Sequence, residues 1–273
     1  MIAAAAYVEF AKRAFSREAT YREEVFTHIG SVALRVYLFY ALWSSLYAGS
    51  GAGVVKEGFT LQDMITYATL GLVLGQLYGV NGAYVIREKI REGNIAIDLM
   101  RPISIPLYVF ADTVGQTAFA LLQMVPALLL AVGLLALNHA HISLPDSPLD
   151  AVAFVISVVL GFIVNFFLDL MMATITFWTM EIFGFQLMVQ FITTLLSGQI
   201  VPLQFFPESV RQIALNSPFA AIASAPLSIY VGRYHGAELL GVLGLQALWA
   251  AIFAAAALVL WQVGERRVVV QGG

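Results

Sequence analysis

Stretches of the chain that carry no charge alternate with short charged clusters, and that alternation predicts its elements. Val36–Val55 runs uncharged from Arg35 to Lys56, and Met64–Ile86 is the second such stretch. Thr113–Pro145 is the third, while Ala151–Leu168 continues past a single acid, Asp169, to Met180. Ile182–Pro207 and Leu239–Gly264 are the fifth and sixth. A helix needs about 20 apolar residues to cross about 30 Å of hydrocarbon, so the pattern predicts six transmembrane helices. Gln212–Gly232 is uncharged as well, but Pro218 and Pro226 interrupt it. Two prolines that close break a straight span, and the segment reads as a pair of short half-helices.

The charged clusters have patterns of their own. Near the N-terminus Tyr7, Phe10, Ala11, Ala14 and Phe15 recur at helical spacing among Glu9, Lys12, Arg13, Arg17 and Glu18. That periodicity predicts a helix lying in the membrane interface over residues 1–24, followed by a six-span domain over 25–273. The most polar stretch is the loop 87–104, which holds Arg87, Glu88, Lys89, Arg91, Glu92 and Arg101. Ile90, Ile95, Ile97, Leu99 and Met100 lie among those charges, which predicts a short surface helix broken near Gly93. Arg101 and Pro102 mark the restart into the third span. Residues 201–232 are rich in Pro, Phe and Ser and poor in charge, so they are expected to dip back into the membrane as a re-entrant hairpin. The expected fold is all-α: a polytopic membrane protein with six transmembrane helices, an N-terminal interfacial helix and an external helical hairpin before the last span.

Composition agrees with lipid as the main solvent. Hydrophobic residues make up 60% of the chain and charged residues 11%, against about 25% charged in ordinary soluble domains. A net charge of −3 lacks the basic excess of a nucleic-acid partner. The N-terminal residues lack the apolar core of a signal peptide, so the first span is expected to act as the targeting signal. Orientation follows from basic residues in short loops. Both termini placed in the cytoplasm put Lys12, Arg13, Arg17, Arg22, Arg87, Lys89, Arg91, Arg101, Arg266 and Arg267 inside, and only Lys56, Arg211 and Arg233 outside. Arg35 falls within the first span.

Signatures of self-sufficient chemistry are missing from the sequence. It has no G-x-x-x-x-G-K-[ST] phosphate loop, no H-E-x-x-H and no G-x-S-x-G elbow. It has no cysteine. His139 and His141 lack carboxylate support for a metal, and no metal site is expected. The ionisable groups inside the spans, costly in lipid and functional by default, are Arg35, Asp112 and Asp169. Counted from the cytoplasmic ends, Arg35 and Asp112 should share a depth, which predicts a buried structural pair. Asp169 follows Asn165 by one turn with Thr176 further along that face, and the fifth span carries Gln186, Gln190, Thr193 and Ser197. The two stripes either line a translocation path or bind helix to helix, as such side chains commonly do in lipid. Gly71, Gly75 and Gly79 make a smooth strip on the second span for close helix packing, within the chain or at a subunit interface.

Six spans, an interfacial N-terminal helix, one charged cytoplasmic loop and a Pro/Phe-rich hairpin before the last span resemble the type-2 ABC exporter permeases, in a bacterial six-helix branch. The residues that carry the resemblance are GNIAIDLMRP at 93–102, SGQIVPLQFFP at 197–207 and NSPFAAIASAPLSIY at 216–230. The resemblance implies a bacterial plasma-membrane permease that pairs with a second permease, identical or different. Each permease would rest on a cytoplasmic ABC ATPase, which supplies ATP and Mg, with no cofactor on this chain. It also implies that the loop 87–101 and the N-terminal helix meet that ATPase, and that substrate moves outward. A short, helix-bounded loop suits the transmission of displacement, although Arg87, Lys89 and Arg91 also serve as positive-inside anchors. An ion-coupled secondary transporter working through Asp169 is the alternative; the absence of an internal repeat and the count of only six spans weigh against it.

Overall fold

The computed structural model describes residues 4–20, 23–48, 55–79, 83–179 and 182–271. Arg22, the far end of the first predicted span at 49–54, and Met180 lie outside the described residues. Those residues form eleven α-helices. In chain order they are α1 Ala4–Glu18, α2 Glu23–Ala48, α3 Leu61–Tyr78, α4 Ala83–Arg91, α5 Ile95–Leu99 and α6 Ile105–Leu137. Then come α7 Pro148–Ile175, α8 Phe183–Leu196, α9 Glu208–Asn216, α10 Ser224–Tyr230 and α11 Gly236–Gln271. Local sequence explains several starts. Thr60 and Asp63 form a reciprocal capping box on α3, and Ser147 caps α7 just ahead of Pro148.

Among the described residues, five segments are long and apolar enough to cross a membrane: Ile29–Ala48, Leu61–Arg91, Ile105–Leu137, Pro148–Ile175 and Gly236–Val268. Their outer faces are apolar. Leu38, Leu42 and Leu46, one turn apart on α2, are 56%, 51% and 49% exposed. Such a stripe is stable where lipid or another membrane helix covers it. The chain is therefore an all-helical, multi-pass membrane protein.

The fifth predicted span has a different construction from the others. Its helix α8 has 14 residues, about 21 Å of rise, and is too short to cross alone. Irregular backbone extends the segment beyond it. At the start of α8, Gln186 accepts a hydrogen bond from Arg87 of α4. Beyond Gly198, whose φ is +69°, a single 3-10 turn Leu203–Phe205 brings the Phe205 ring to 6.0 Å from that of Phe59, just ahead of α3. Non-helical backbone at membrane depth is tolerated where protein buries it. Here Ser197, Gly198 and Leu203 are all buried.

The joints sort into two ends. At one, Arg233 donates to the carbonyl of Gly58 at 2.8 Å, and the Ser143 amide donates to Thr66 at 2.9 Å. At the other, Ile86, Ile95, Ile105, Phe177 and Trp261 share one core cluster, and Arg267 lies over the Trp178 ring at 5.9 Å. The middle of the molecule is α7, packed on α11, α10, α4 and α3. The half-helices of the hairpin occur as α9 and α10, and residues 220–229 are buried without exception. Gln246 of α11 fixes them. Its amide donates to Ala221 O at 2.8 Å and its oxygen accepts from Ser157 of α7 at 2.7 Å.

Candidate functional site

The polar stripes of α7 and α8 face one another. Asn165 and Asp169 from α7, with Gln186, Gln190, Thr193 and Ser197 from α8 and its C-terminal cap, line a single cleft of about 380 Å³. Helix α3 closes its third side with Gly75, Tyr78 and Gly79, and Gln199 and Ile222 complete it. On α7 the i, i+4 spacing stacks Asn165 over Asp169. The Asn165 amide donates to Asp169 Oδ2 at 3.1 Å and to the Tyr78 carbonyl at 3.1 Å. Asp169 is the only acidic or basic side chain in a lining otherwise made of amides, hydroxyls and apolar groups. The chemistry on offer is hydrogen bonding around one carboxylate. Nucleophile–base pairs are absent from this lining, and groups that could hold a metal ion are absent among the described residues.

Thr176 does not join this cleft. It caps the C-terminus of α7 and is buried, its hydroxyl without a partner among the described residues. The glycine strip receives the turn at Gln199 together with Leu227 of α10. The Gln199 amide donates to Gly71 O at 3.1 Å, and a β-carbon at Gly71 or Gly75 would run into Gln199. Gly79 instead ends α3, its amide bonded to Gly75 O at 2.9 Å. Gln199 is thus a site residue that periodicity missed. Its signal was a polar side chain beside a glycine within an otherwise apolar run.

The expected Arg35–Asp112 pair is corrected by the structure. Asp112 of α6 binds Arg17 of α1 through both terminal guanidinium nitrogens, at 3.0 and 3.3 Å, and accepts from Gln116. Arg35 is exposed on α2. The reason is the seating of α1 along the start of α6. Tyr7 accepts from the Ser104 amide at 3.2 Å, and the Phe10 and Tyr108 rings meet edge to face at 5.0 Å. Ala11 lies against Gly115, and Phe15 against Phe119 at 5.4 Å. That seating brings Arg17 to Asp112. The carboxylate's hydrogen bonds raise Arg17 above the ordinary guanidinium value.

The charged loop is a compact helical hairpin. Helices α4 and α5 fold about Gly93, whose φ is +78°. Asp98 ties them by binding Lys89, and it also binds Arg101 at 3.3 Å. Glu88 takes Arg91 at 2.7 Å and Arg87 at 3.5 Å. Glu92 accepts from Asn94 at 3.0 Å. Arg87 points away from that network's tip and reaches Gln186, so the loop touches the lining of the cleft directly.

Spanning helices, a buried hairpin and a polar intramembrane cleft define a multi-pass membrane transporter. The chain belongs to the ABC-2 family transporter proteins, whose model matches residues 32–272. It is therefore the membrane-spanning permease of an ABC transporter. No curated protein matches it.

Proposed function

We propose that this permease is one half of an ATP-driven exporter of the bacterial plasma membrane. It pairs with a second permease, identical or different, and each rests on a separate cytoplasmic ATPase that binds ATP and Mg. Both termini and the α4–α5 hairpin face the cytoplasm in this reading, and an amphipathic substrate moves outward through the cleft. The observation that carries it is the contact of Arg87 with Gln186. A displacement of the charged hairpin is passed straight to α8, which has no buried residue of its own and so can shift at little packing cost. The cleft is walled mainly by α3, α7 and α8, with Gln199 and Ile222 beside them, which suits a site that a second permease completes.

The test is purification of the tagged chain from its native operon in mild detergent, with mass spectrometry of every co-purifying subunit. An ATPase equal in number to total permease is the expected result. A chain recovered alone, or only with copies of itself, overturns the reading. The position of Asp169 in the cleft favours one competing function, an ion-coupled secondary transporter. That reading requires ion-driven uptake in liposomes holding this chain alone, abolished by Asp169→Asn. The exporter reading expects no such uptake.

A further inference from the structure

We propose that the cleft between α1, the α4–α5 hairpin and the start of α6 binds the phosphate of an anionic phospholipid from the adjoining leaflet. The cleft has a volume of about 280 Å³ and is separate from the intramembrane site. Arg13 and Arg17 reach it from α1, Lys89 from α4, and Arg101 from the end of the hairpin. Its acids, Asp98 and Asp112, lie behind those cations. Their side chains are 14% and 11% exposed, against 33% for Lys89, 49% for Arg17 and 62% for Arg101. The mouth is therefore positive and the floor neutralised.

Each paired cation keeps donors in reserve, because an arginine carries five and a lysine three. Arg13 makes no hydrogen bond or ion pair among the described residues, and Glu9 one turn back exerts only a longer-range attraction on it. A phosphate at the mouth would complete these donors, as charge-assisted hydrogen bonds favour.

The apolar part of the lining selects a lipid over a soluble anion. Phe10, Val85, Ile103 and Tyr108 share the cleft with the cations, and Val85 also exposes apolar surface. A headgroup would sit among the arginines while its acyl chains lie along these residues. Basic pockets between helices at the leaflet surface hold anionic headgroups in this way. The inference rests on the membrane fold and does not depend on the proposed ATPase or on export. Helix α1 precedes the residues matched by the family, which begin at 32.

The experiment is native mass spectrometry of the purified permease, with whatever subunits accompany it, titrated with phosphatidylglycerol or phosphatidylcholine. One saturable phosphatidylglycerol per chain is expected. The double variant Arg13→Gln/Arg101→Gln should weaken it by roughly tenfold or more, and Arg13→Lys/Arg101→Lys should restore it. Both variants leave the Arg17–Asp112 anchor intact, and an unchanged melting temperature shows that they fold. Equal binding of the two lipids, or an unchanged Gln variant, overturns the proposal. Displacement by millimolar inorganic phosphate assigns the cleft to a soluble anion and overturns the lipid. Binding seen only after accompanying subunits are stripped assigns it to a protein contact, with the same consequence.

Discussion

A methyl group added at Gly71 meets the main-chain carbonyl of Gln199, whereas one added at Gly75 meets the Gln199 side-chain amide. The difference decides how each position responds to substitution. A side chain can rotate out of the way; a carbonyl held by the Ser197–Gly198 turn cannot without moving the turn. Gly71→Ala is therefore expected to lower stability by about 1–3 kcal/mol, the usual cost of overpacking, and Gly75→Ala by less. Thermal melting in detergent checks the order, and a reversed order would mean that the turn, not the amide, is the mobile part. The Arg17–Asp112 pair allows a second comparison at this scale. Asp112→Ala should raise hydrogen exchange across residues 4–18 about two- to fivefold, as suits the ~0.2–1 kcal/mol of a pair whose arginine is half-exposed. Arg35→Ala should leave that exchange unchanged, because Arg35 does not hold α1.

Among elements, α4 and α8 form the link that matters most for transport. Arg87 joins the charged hairpin to the cleft lining through its hydrogen bond to Gln186. Its replacement by alanine is expected to cut transport several-fold while co-purification of the ATPase persists, since Arg91, Glu92 and Arg101 stay on the exposed surface of the hairpin. Loss of the ATPase along with transport would instead make Arg87 part of the docking contact. This element was partly legible in the sequence. A break near Gly93 followed from charges flanking a glycine, and the two facing polar stripes followed from helical spacing in α7 and α8. What the chain did not reveal was α8's length. Ile182–Pro207 is uniformly free of charge, and hydropathy does not register the left-handed turn at Gly198 or the Pro202 that follows it. The Arg35–Asp112 expectation failed for a related reason. Depth along two spans is readable from spacing, but rotation about their axes and the arrival of α1 are tertiary facts that spacing does not carry.

For the molecule as a whole, the absence of cysteine permits a direct test of how many times the chain crosses. Single cysteines at Arg91, Asp146, Thr179, Glu208 and Glu265 each sit in a different joint or at the C-terminal end of α11. In intact cells a thiol reagent that cannot cross the membrane should label Asp146→Cys and Glu208→Cys, and leave the other three unlabelled until the cells are opened. The decisive pair is Thr179 and Glu208, which bracket α8. The contacts of this segment run from Gln186 beside Arg87 to Phe205 beside Phe59, and those partners belong to opposite ends of the bundle. Opposite labelling is therefore required even though α8 itself has only 14 residues. Identical labelling would make the segment a re-entrant loop and place the C-terminus outside. Arg266 and Arg267 would then face the outer solution, against the bias of the basic residues, and the α4–α5 hairpin would no longer share a side with the end of α11. That outcome is incompatible with the core cluster that joins Ile86 and Ile95 to Trp261, so the labelling pattern tests the packing of the whole bundle together with its topology.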